Sequence, residues 1–430
     1  MTFSWPNAER LLVAKGQGDY EWVDRRPRTP TALDVGRVGQ GPPTGIVACG
    51  DGLDAIEALS ARGDLAEASV RLLYIDPPFG SGKRFGHYVD VLAESAWLSM
   101  MRDRLVGILP FMSRDGSIWV HLDETMSHKA RLILDDVLGA DSYVATIVWQ
   151  KRLTVESRTA ISVGHDPILV YALHGPKHWK SVRNRVAGVV AASNRDGDAR
   201  GPWRDAPFTA PGYRPGQQYV IVNPAGRELL PPRGRSWFAT EPVFWRLVQE
   251  DRIWWTKDGA GQPRMKNFDI DALQVPGTIW TGQEVGTNDD AKRHLAALFP
   301  DAKVLFDTPK PERLLERILH IGTNPGDLVV DLFAGSGSTA ATAHKMGRRW
   351  ITAERLPATV ESVLVPRLAH TVAGTDPGGI TKSARWTGGG AFDVVSVPPT
   401  LGAEQWSAGM LGLSGELAER TQVEAARLLL

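Results

Sequence analysis

The chain has 430 residues, 43% hydrophobic and 23% charged, which is typical of a globular protein of two or three domains and excludes a disordered chain. The sequence contains no run of 18 apolar residues, so no transmembrane helix is predicted. The first 20 residues carry Glu9, Arg10 and Lys15 without the long apolar core of a secretory signal. The single cysteine, Cys49, excludes a disulfide framework and a cysteine-based zinc cluster. We therefore expect a cytoplasmic protein.

The net charge of zero hides an uneven distribution. Residues 151–240 contain 14 lysines and arginines against 6 aspartates and glutamates, so this segment carries +8 and the remainder −8. A basic segment on an acidic body indicates a nucleic-acid partner, with a solvated basic surface as an equal alternative. Seven of the 15 tryptophans lie between Trp179 and Trp280, where some could stack on bases. Most of them are nevertheless expected in the core.

Short apolar strands alternate with helices through the first part of the chain, which predicts an α/β sheet. Residues 1–40 are loop-rich and read as a peripheral extension. Beyond them, we predict strands over 46–48, 70–75, 116–122, 144–149 and 168–172, and helices over 52–62, 93–112 and 124–138.

The alternation stops between Gly175 and about Val285, where glycine and proline are frequent, so an inserted module or a set of long loops is expected there. It returns near Ala291, with helices over 311–321 and 339–346 and strands over 328–333 and 349–353. The predicted domains are an N-terminal extension (1–40), a first half of the α/β domain (41–174), an inserted region (175–290), a second half (291–370) and a C-terminal extension (371–430).

A glycine turn, DLFAGSG at residues 331–337, follows the predicted strand that contains Asp331. Glycines at such a turn let the backbone approach a ligand closely. Glu354, at the end of the next strand, can accept hydrogen bonds from both hydroxyls of a ribose. The pattern fits a dinucleotide or an S-adenosylmethionine site, and Asp331 favours the cationic sulfonium. A P-loop is excluded because its sequence pattern is absent; a turn that binds no nucleotide stays an alternative.

The tetrapeptide DPPF, residues 76–79, follows the predicted strand 70–75. Its two prolines fix the backbone and remove two N–H donors, which leaves the Asp76 carboxylate and the Pro77 carbonyl as acceptors. Both can accept hydrogens of one amino group, while Phe79 offers a flat apolar face. The exocyclic amine of a nucleobase fits this arrangement, and its nitrogen would be drawn toward a tetrahedral, reactive form. The plain alternative is a type I turn with an aspartate cap.

The two motifs are informative as a pair. Asp331 lies 255 residues beyond Asp76. In a doubly wound sheet, the strands that flank the topological switch point are neighbours, and ligands bind at their carboxyl ends. We predict that these two strands flank that point, so that a methyl donor and an amine acceptor meet there, while the basic segment that is rich in glycine and proline, from Gly175 onward, lies outside the sheet.

Together the motifs resemble the amino-methylating DNA methyltransferases of the beta arrangement, in which the catalytic motif precedes the cofactor motif and a target-recognition region lies between them. The match is best to modification subunits of type III restriction systems. It is carried by residues 74–79, 97–105, 116–123, 165–171, 306–312 and 331–339. The resemblance implies the fold: a Rossmann-like, doubly wound mixed sheet of the S-adenosylmethionine-dependent type, circularly permuted, with an inserted target-recognition region.

The resemblance also implies the role of each site residue. The catalytic tetrapeptide is Asp76, Pro77, Pro78 and Phe79. The cofactor residues are Asp331, Phe333, Gly335, Gly337 and the ribose-binding Glu354, with Thr308, Lys310 and Pro311 packing over the methionine end of S-adenosylmethionine. An aspartate at the first position of the tetrapeptide is similar to adenine-N6 enzymes, whereas serine is commoner in cytosine-N4 enzymes. Gly80 stands where the family usually has asparagine.

The predicted function is site-specific methylation of the N6 amine of an adenine flipped out of duplex DNA, without a metal. Candidate DNA contacts are Lys151, Arg152, Arg204, Arg214, Arg233 and Arg235. The resemblance implies a bacterial or phage source, a homodimer and a restriction subunit as partner. Cytosine-N4 methylation, a DNA-binding subunit that needs a partner, and a nicotinamide-dependent oxidoreductase stay open as alternatives. The oxidoreductase leaves the DPPF motif unexplained.

Overall fold

The computed structural model describes residues 4–15, 19–25, 29–78, 94–187, 192–256, 259–268, 273–302 and 306–399. The chain divides into two compact units. The sheet unit comprises Met1–Asn184 and Pro276–Leu430, and the inserted unit comprises Arg185–Val275. Among the described helices, none has the length and apolar character that crossing a bilayer requires.

The secondary-structure elements are numbered along the chain. The strands are β1 (Leu11–Lys15), β2 (Asp19–Val23), β3 (Leu33–Gly39), β4 (Pro43–Cys49), β5 (Val70–Ile75), β6 (Met112–His121), β7 (Tyr143–Gln150), β8 (His165–Ala172), β9 (Val186–Ala187), β10 (Arg204–Pro207), β11 (Thr209–Pro211), β12 (Ile221–Val222), β13 (Glu228–Leu229), β14 (Arg235–Trp237), β15 (Ile253–Trp255), β16 (Pro263–Asn267), β17 (Leu273–Gln274), β18 (Ile279–Trp280), β19 (Leu328–Asp331), β20 (Arg349–Glu354) and β21 (Ala391–Ser396). The helices are α1 (Gly52–Arg62), α2 (Glu94–Ile108), α3 (Glu124–Leu138), α4 (Gly175–Val182), α5 (Glu241–Gln249), α6 (Gly282–Val285), α7 (Asn288–Leu298), α8 (Glu312–Gly322), α9 (Ser338–Lys345), α10 (Pro357–Thr359) and α11 (Val365–Ala373).

A ten-stranded mixed sheet runs through the described part of the sheet unit in the order β18-β7-β8-β6-β5-β19-β20-β4-β21-β3. The strands from β6 to β21 in this order are parallel, whereas β8 is antiparallel to both β6 and β7, and β3 is antiparallel to β21. On one side of β19 lie β20 and β4; on the other lie β5 and β6. The predicted permuted, doubly wound sheet is confirmed, with its switch point between β5 and β19.

The two central strands are short apolar runs, VRLLYI in β5 and LVVD in β19, as expected of parallel strands covered on both faces. Leu73 of β5 pairs with Val330 of β19. Because the strands are parallel, Asp76, just beyond β5, and Asp331, at the end of β19, reach the same edge of the sheet. Trp97 and Leu105 of α2 belong to the main hydrophobic core of the sheet unit.

The terminal segments differ from the prediction, because both contribute strands. The N-terminal hairpin β1–β2 adds Leu12 to the core, and β3 forms the sheet edge. In the segment predicted as a C-terminal extension, β21 lies between β4 and β3, and Val395 is fully buried. The ion pair between Arg37 and Asp393 joins positions 356 residues apart. Local sequence patterns carry no signal for a pairing this distant.

The inserted unit is smaller than the predicted 175–290 region. The first residues of that region form α4, and its last residues form β18, α6 and the start of α7, all in the sheet unit. Short strands and α5 surround a separate core that includes Phe208, Ile221, Trp237, Phe244 and Ile253. Trp203 and Trp237 are fully buried, so these two tryptophans stabilise the fold and are not available to stack on bases.

Candidate active site

A cleft opens at the carboxyl edge of β5, β19, β20 and β4. It brings together nine residues that the sequence predicted for catalysis or cofactor binding: Asp76, Pro77, Pro78, Thr308, Lys310, Asp331, Phe333, Gly335 and Glu354. Two further predicted residues, Gly337 and Pro311, are not among its lining residues. Phe79 lies outside the described residues. The predicted meeting of the DPPF and DLFAGSG motifs in one cleft is therefore observed for the described part of each motif.

The glycine turn is tied to the next strand by a carboxylate. Glu354 accepts a hydrogen bond from the Gly335 amide at 2.9 Å through Oε2 and from the Leu356 amide at 2.9 Å through Oε1. Each carboxylate oxygen has a second lone pair, so Glu354 can still accept from a ligand hydroxyl. Gly335 has φ of +50°, and a Cβ there would lie 2.8 Å from Cζ of Phe306. The turn therefore requires glycine at this position.

Burial dominates the electrostatics of the cleft. It raises the pKa of Asp331 to about 7, although the carboxylate accepts hydrogen bonds from Thr339 and from the Phe333 amide. It also raises the pKa of Glu354, although the Leu356 and Gly335 amides donate to that group. Asp331 forms no ion pair with any described residue. A buried carboxylate of this kind is stabilised in its charged form by a cationic ligand.

Asp76 is held by a contact that the sequence did not predict. Lys310 Nζ donates to Oδ2 of Asp76 in a largely buried ion pair. Asp76 Oδ1 is buried and has no hydrogen-bond partner among the described residues. The Pro78 carbonyl accepts a hydrogen bond from the Trp97 indole at 2.5 Å, which fixes the turn on α2. One carboxylate oxygen is thus oriented by Lys310, and the other is left as an acceptor.

A buried network of charges supports the glycine turn from behind. Arg367 of α11 donates to the Ser338 hydroxyl at 2.7 Å and to Glu312 at 3.1 Å. Lys345 bridges Glu312 at 2.7 Å and Asp376 at 2.5 Å. Because Glu312 begins α8 two residues after Lys310, the network joins the turn to the segment that pairs with Asp76. The Lys345 ammonium and the Arg367 guanidinium together offset the charges of the two carboxylates.

The other end of the cleft contains residues that the sequence analysis missed. Asp51, which follows β4, caps α1 and accepts from Tyr20 at 3.2 Å and from the buried Arg104 guanidinium. Burial works to raise the pKa of Asp51, but Arg104 and the Leu53 amide outweigh it and hold the pKa below its usual range. The available signal was an aspartate two residues after an apolar strand, a position similar to that of Asp76, which directly follows β5.

The candidate DNA contacts do not lie in the cleft. In the sheet unit, Lys151 donates to Asp166 at 2.6 Å, and Arg152 donates to Ser162 at 3.2 Å. In the inserted unit, Arg235 donates to Thr209, and Arg204 is half-buried. The side chains of Arg214 and Arg233 are exposed and form no ion pair with any residue that the structure describes. Among the predicted contacts in the inserted unit, the side chains of these two arginines are the most exposed.

Comparison with known proteins identifies the class. Residues 70–364 match the family described as DNA methylase, whose name covers N6 and N4 methyltransferases. The match extends over more than half of the chain, and the protein belongs to this family.

Several relatives are restriction-modification proteins. The chain is 29% identical over 65% of its length to the type II methyltransferase M.EcaI of Enterobacter cloacae, covering 61% of that protein. It is 24% identical over 93% of its length to the probable type III restriction-modification enzyme HindVI Mod subunit of Haemophilus influenzae, covering 60% of it. It is 26% identical over 68% of its length to the StyLTI Mod subunit of Salmonella typhimurium, covering 48% of it. The chain thus spans about half to three fifths of the length of these relatives.

Proposed function

We propose that the protein transfers the methyl group of S-adenosylmethionine to the exocyclic amine of a base in duplex DNA, with adenine N6 as the target atom. The observation that carries this proposal is the meeting of Asp76 and the glycine turn in one cleft, with Asp76 Oδ1 buried and unpartnered. Family membership supports the reaction type but leaves N6 and N4 open. The aspartate at position 76 favours adenine, through the resemblance to adenine-N6 enzymes.

The cleft has the donors and acceptors that S-adenosylmethionine requires. Bound there, this cofactor supplies an electrophilic methyl group on a positively charged sulfur. Asp331, which has no cationic partner among the described residues, would lie beside the charged methionine end. Glu354 would accept hydrogen bonds from the ribose hydroxyls, as acidic residues at this position do in nucleotide-binding folds. Gly335 would allow the backbone to approach the ligand closely.

The target amine would bind at Asp76. Its two hydrogens would be accepted by Asp76 Oδ1 and the Pro77 carbonyl, so that the nitrogen lone pair points at the methyl group. Lys310 holds the other oxygen of Asp76, and Trp97 anchors the turn at the Pro78 carbonyl, next to the Pro77 acceptor, before the base arrives. Positioning and preorganised dipoles of this kind supply most of the rate acceleration in such a site. Phe79 would stack on the flipped base.

DNA binding is assigned to the inserted unit. Arg214 and Arg233 lie on two paired segments, which are joined by a hydrogen bond from the Gly212 amide to the Gly234 carbonyl at 3.0 Å. The Arg214 amide donates to the buried Ser236 hydroxyl at 2.8 Å, which fixes the loop that carries it. Phosphate contacts by such side chains give affinity, and base-edge contacts give sequence choice. By analogy with the Mod subunits, we also propose a homodimer and a restriction subunit as partners.

The decisive experiment incubates the purified chain with unmethylated genomic DNA and radiolabelled S-adenosylmethionine, followed by mass spectrometry of the nucleosides. We expect N6-methyladenine in the wild-type reaction and none with Asp76→Ala. Sequencing that reads modified bases in DNA from expressing cells then gives the recognition site. N4-methylcytosine in place of N6-methyladenine would correct the target base. A folded protein that binds the cofactor yet labels no base would contradict the proposal.

A further inference from the structure

A chain of hydrogen-bonded side chains leads from the cleft into the core. Tyr74 lies two residues before Asp76 and also lines the cleft. Its hydroxyl is 2.9 Å from Nδ1 of His121, and Nε2 of His121 is 3.4 Å from Oδ2 of Asp166. Asp166 Oδ1 accepts from Lys151 at 2.6 Å. Tyr74, His121 and Asp166 are buried, while 22% of the Lys151 side chain is exposed, so the chain connects the cleft with solvent.

The donors and acceptors along this chain permit one arrangement of hydrogens. Lysine has only donors, so Asp166 acts as an acceptor. The ring nitrogen of His121 next to Asp166 therefore carries a hydrogen, which leaves Nδ1 as an acceptor for the Tyr74 hydroxyl. Each hydrogen thus points away from the cleft and toward Asp166. A proton that reaches the Tyr74 oxygen can move outward by successive transfers without any side chain rotating.

The charged groups around the chain set the resting protonation state of its members. Three charged groups surround His121: Asp76 after β5, Asp166 in β8 and Lys310 in the segment before α8. Burial, reinforced by Lys310, lowers the pKa of His121. Burial, reinforced by the carboxylates Asp76, Asp331 and Asp166, raises the pKa of Tyr74 well above its usual range. At neutral pH the phenol therefore keeps its hydrogen and the imidazole is neutral. Neither His121 nor Asp166 lines the cleft, so the binding of the cofactor and of the amine does not account for them.

We propose that Tyr74, His121 and Asp166 carry the proton released by amine methylation from Asp76 to the surface at Lys151. This inference rests on the proposed function. The amine lone pair forms the new N–C bond, and the C–S bond breaks with its electron pair going to sulfur. The extra proton on nitrogen passes to Asp76, then directly or through one water molecule to the Tyr74 oxygen. The Tyr74 proton moves to His121 Nδ1, the Nε2 proton moves to Asp166, and Asp166 exchanges with solvent beside Lys151.

The test measures single-turnover methyl transfer by Tyr74→Phe, which removes only the hydroxyl. The matched control is Tyr171→Phe: Tyr171 is also fully buried, and its hydroxyl donates to Asp135 at 2.6 Å outside the cleft. Each variant removes the hydroxyl of a buried tyrosine and loses one hydrogen bond, which is buried at Tyr74 and partly buried at Tyr171, so a loss of thermal stability is expected in both. We expect Tyr74→Phe to be at least tenfold slower, and Tyr171→Phe to stay within twofold of the wild type. Calorimetry should show unchanged cofactor affinity in both.

Rates in mixtures of H₂O and D₂O give a second readout, which a purely structural role would not change. The wild type should show a curved dependence on deuterium content, as expected when several protons move, and Tyr74→Phe a linear or absent one. His121→Gln keeps a polar side chain but lacks the two ring nitrogens through which histidine passes a proton, so it should behave like Tyr74→Phe. This variant replaces Tyr74→Phe in the test if Tyr74→Phe fails to fold. Rates within twofold of the wild type in a folded Tyr74→Phe or His121→Gln would overturn the inference. If the wild-type protein methylates no base, that result contradicts the proposed function and not this inference.

Discussion

The electrostatics of the cleft can be tested by replacing Asp331 with asparagine, which keeps the shape and removes the charge. Burial raises the pKa of Asp331 from 3.8 to about 7. At about 1.4 kcal/mol per pH unit, the charged carboxylate costs the folded protein up to about 4 kcal/mol. Because the folded-state pKa is the higher one, this cost is absent below about pH 4, grows as the pH rises, and is complete above about pH 7. Without cofactor, Asp331→Asn should therefore be more stable than the wild type at pH 8, but not at pH 4.

Binding of a cation beside Asp331 should favour its ionised form, and so release a proton below pH 7. The cofactor association constant of the wild type should fall by up to about tenfold for each pH unit below 7. Asp331→Asn should bind the cofactor more weakly at pH 8, and its affinity should lose the pH dependence that comes from Asp331. Any pH dependence that remains in this variant is assigned to Glu354, whose pKa is also raised. Calorimetric titrations at pH 6 and pH 8, in two buffers of different ionisation enthalpy, measure affinity and proton release together. An affinity of the wild type that is equal at pH 6 and pH 8 would refute this reasoning.

Three further perturbations follow from the site and the inserted unit. Asp76→Ala should abolish methyl transfer while calorimetry still detects cofactor binding; a normal rate would remove Asp76 from the mechanism. Gly337→Ala should destabilise the protein by about 1–3 kcal/mol in thermal unfolding and weaken cofactor binding, because φ is +76° and the new Cβ would overlap Leu364. Arg214→Ala and Arg233→Ala should each weaken DNA binding and lower the slope of log affinity against log salt by about 1; an unchanged slope would place the DNA elsewhere.

The central strands and their motifs could be predicted from the sequence because their signals are local. β5 and α1 occupy the predicted residues, and the switch point was placed correctly because both motifs follow apolar strands at their carboxyl ends. The adenine target and the roles of the site residues stay predictions.

Other features depend on contacts between distant residues, which no local pattern encodes. The Lys310–Asp76 ion pair joins positions 234 residues apart. β3, a glycine-containing strand that is mostly exposed, has little apolar alternation to reveal it. Its partner β21 follows a long glycine-rich segment that was predicted as an extension. In each case tertiary packing, not local propensity, decides the structure.

The position of β21 has a consequence for biosynthesis. This strand pairs with one side of β4, and β20 pairs with the other side. The end of β4 leads to Asp51, which lines the cleft. A nascent chain releases β4 and β5 early, but their neighbours in the sheet, β19, β20 and β21, are translated only after the inserted unit. The inserted unit has its own core and can fold while the chain is still on the ribosome. The cleft, by contrast, is lined by residues as late in the chain as Thr359, and the strand beside β4 is complete only when nearly 400 residues have emerged.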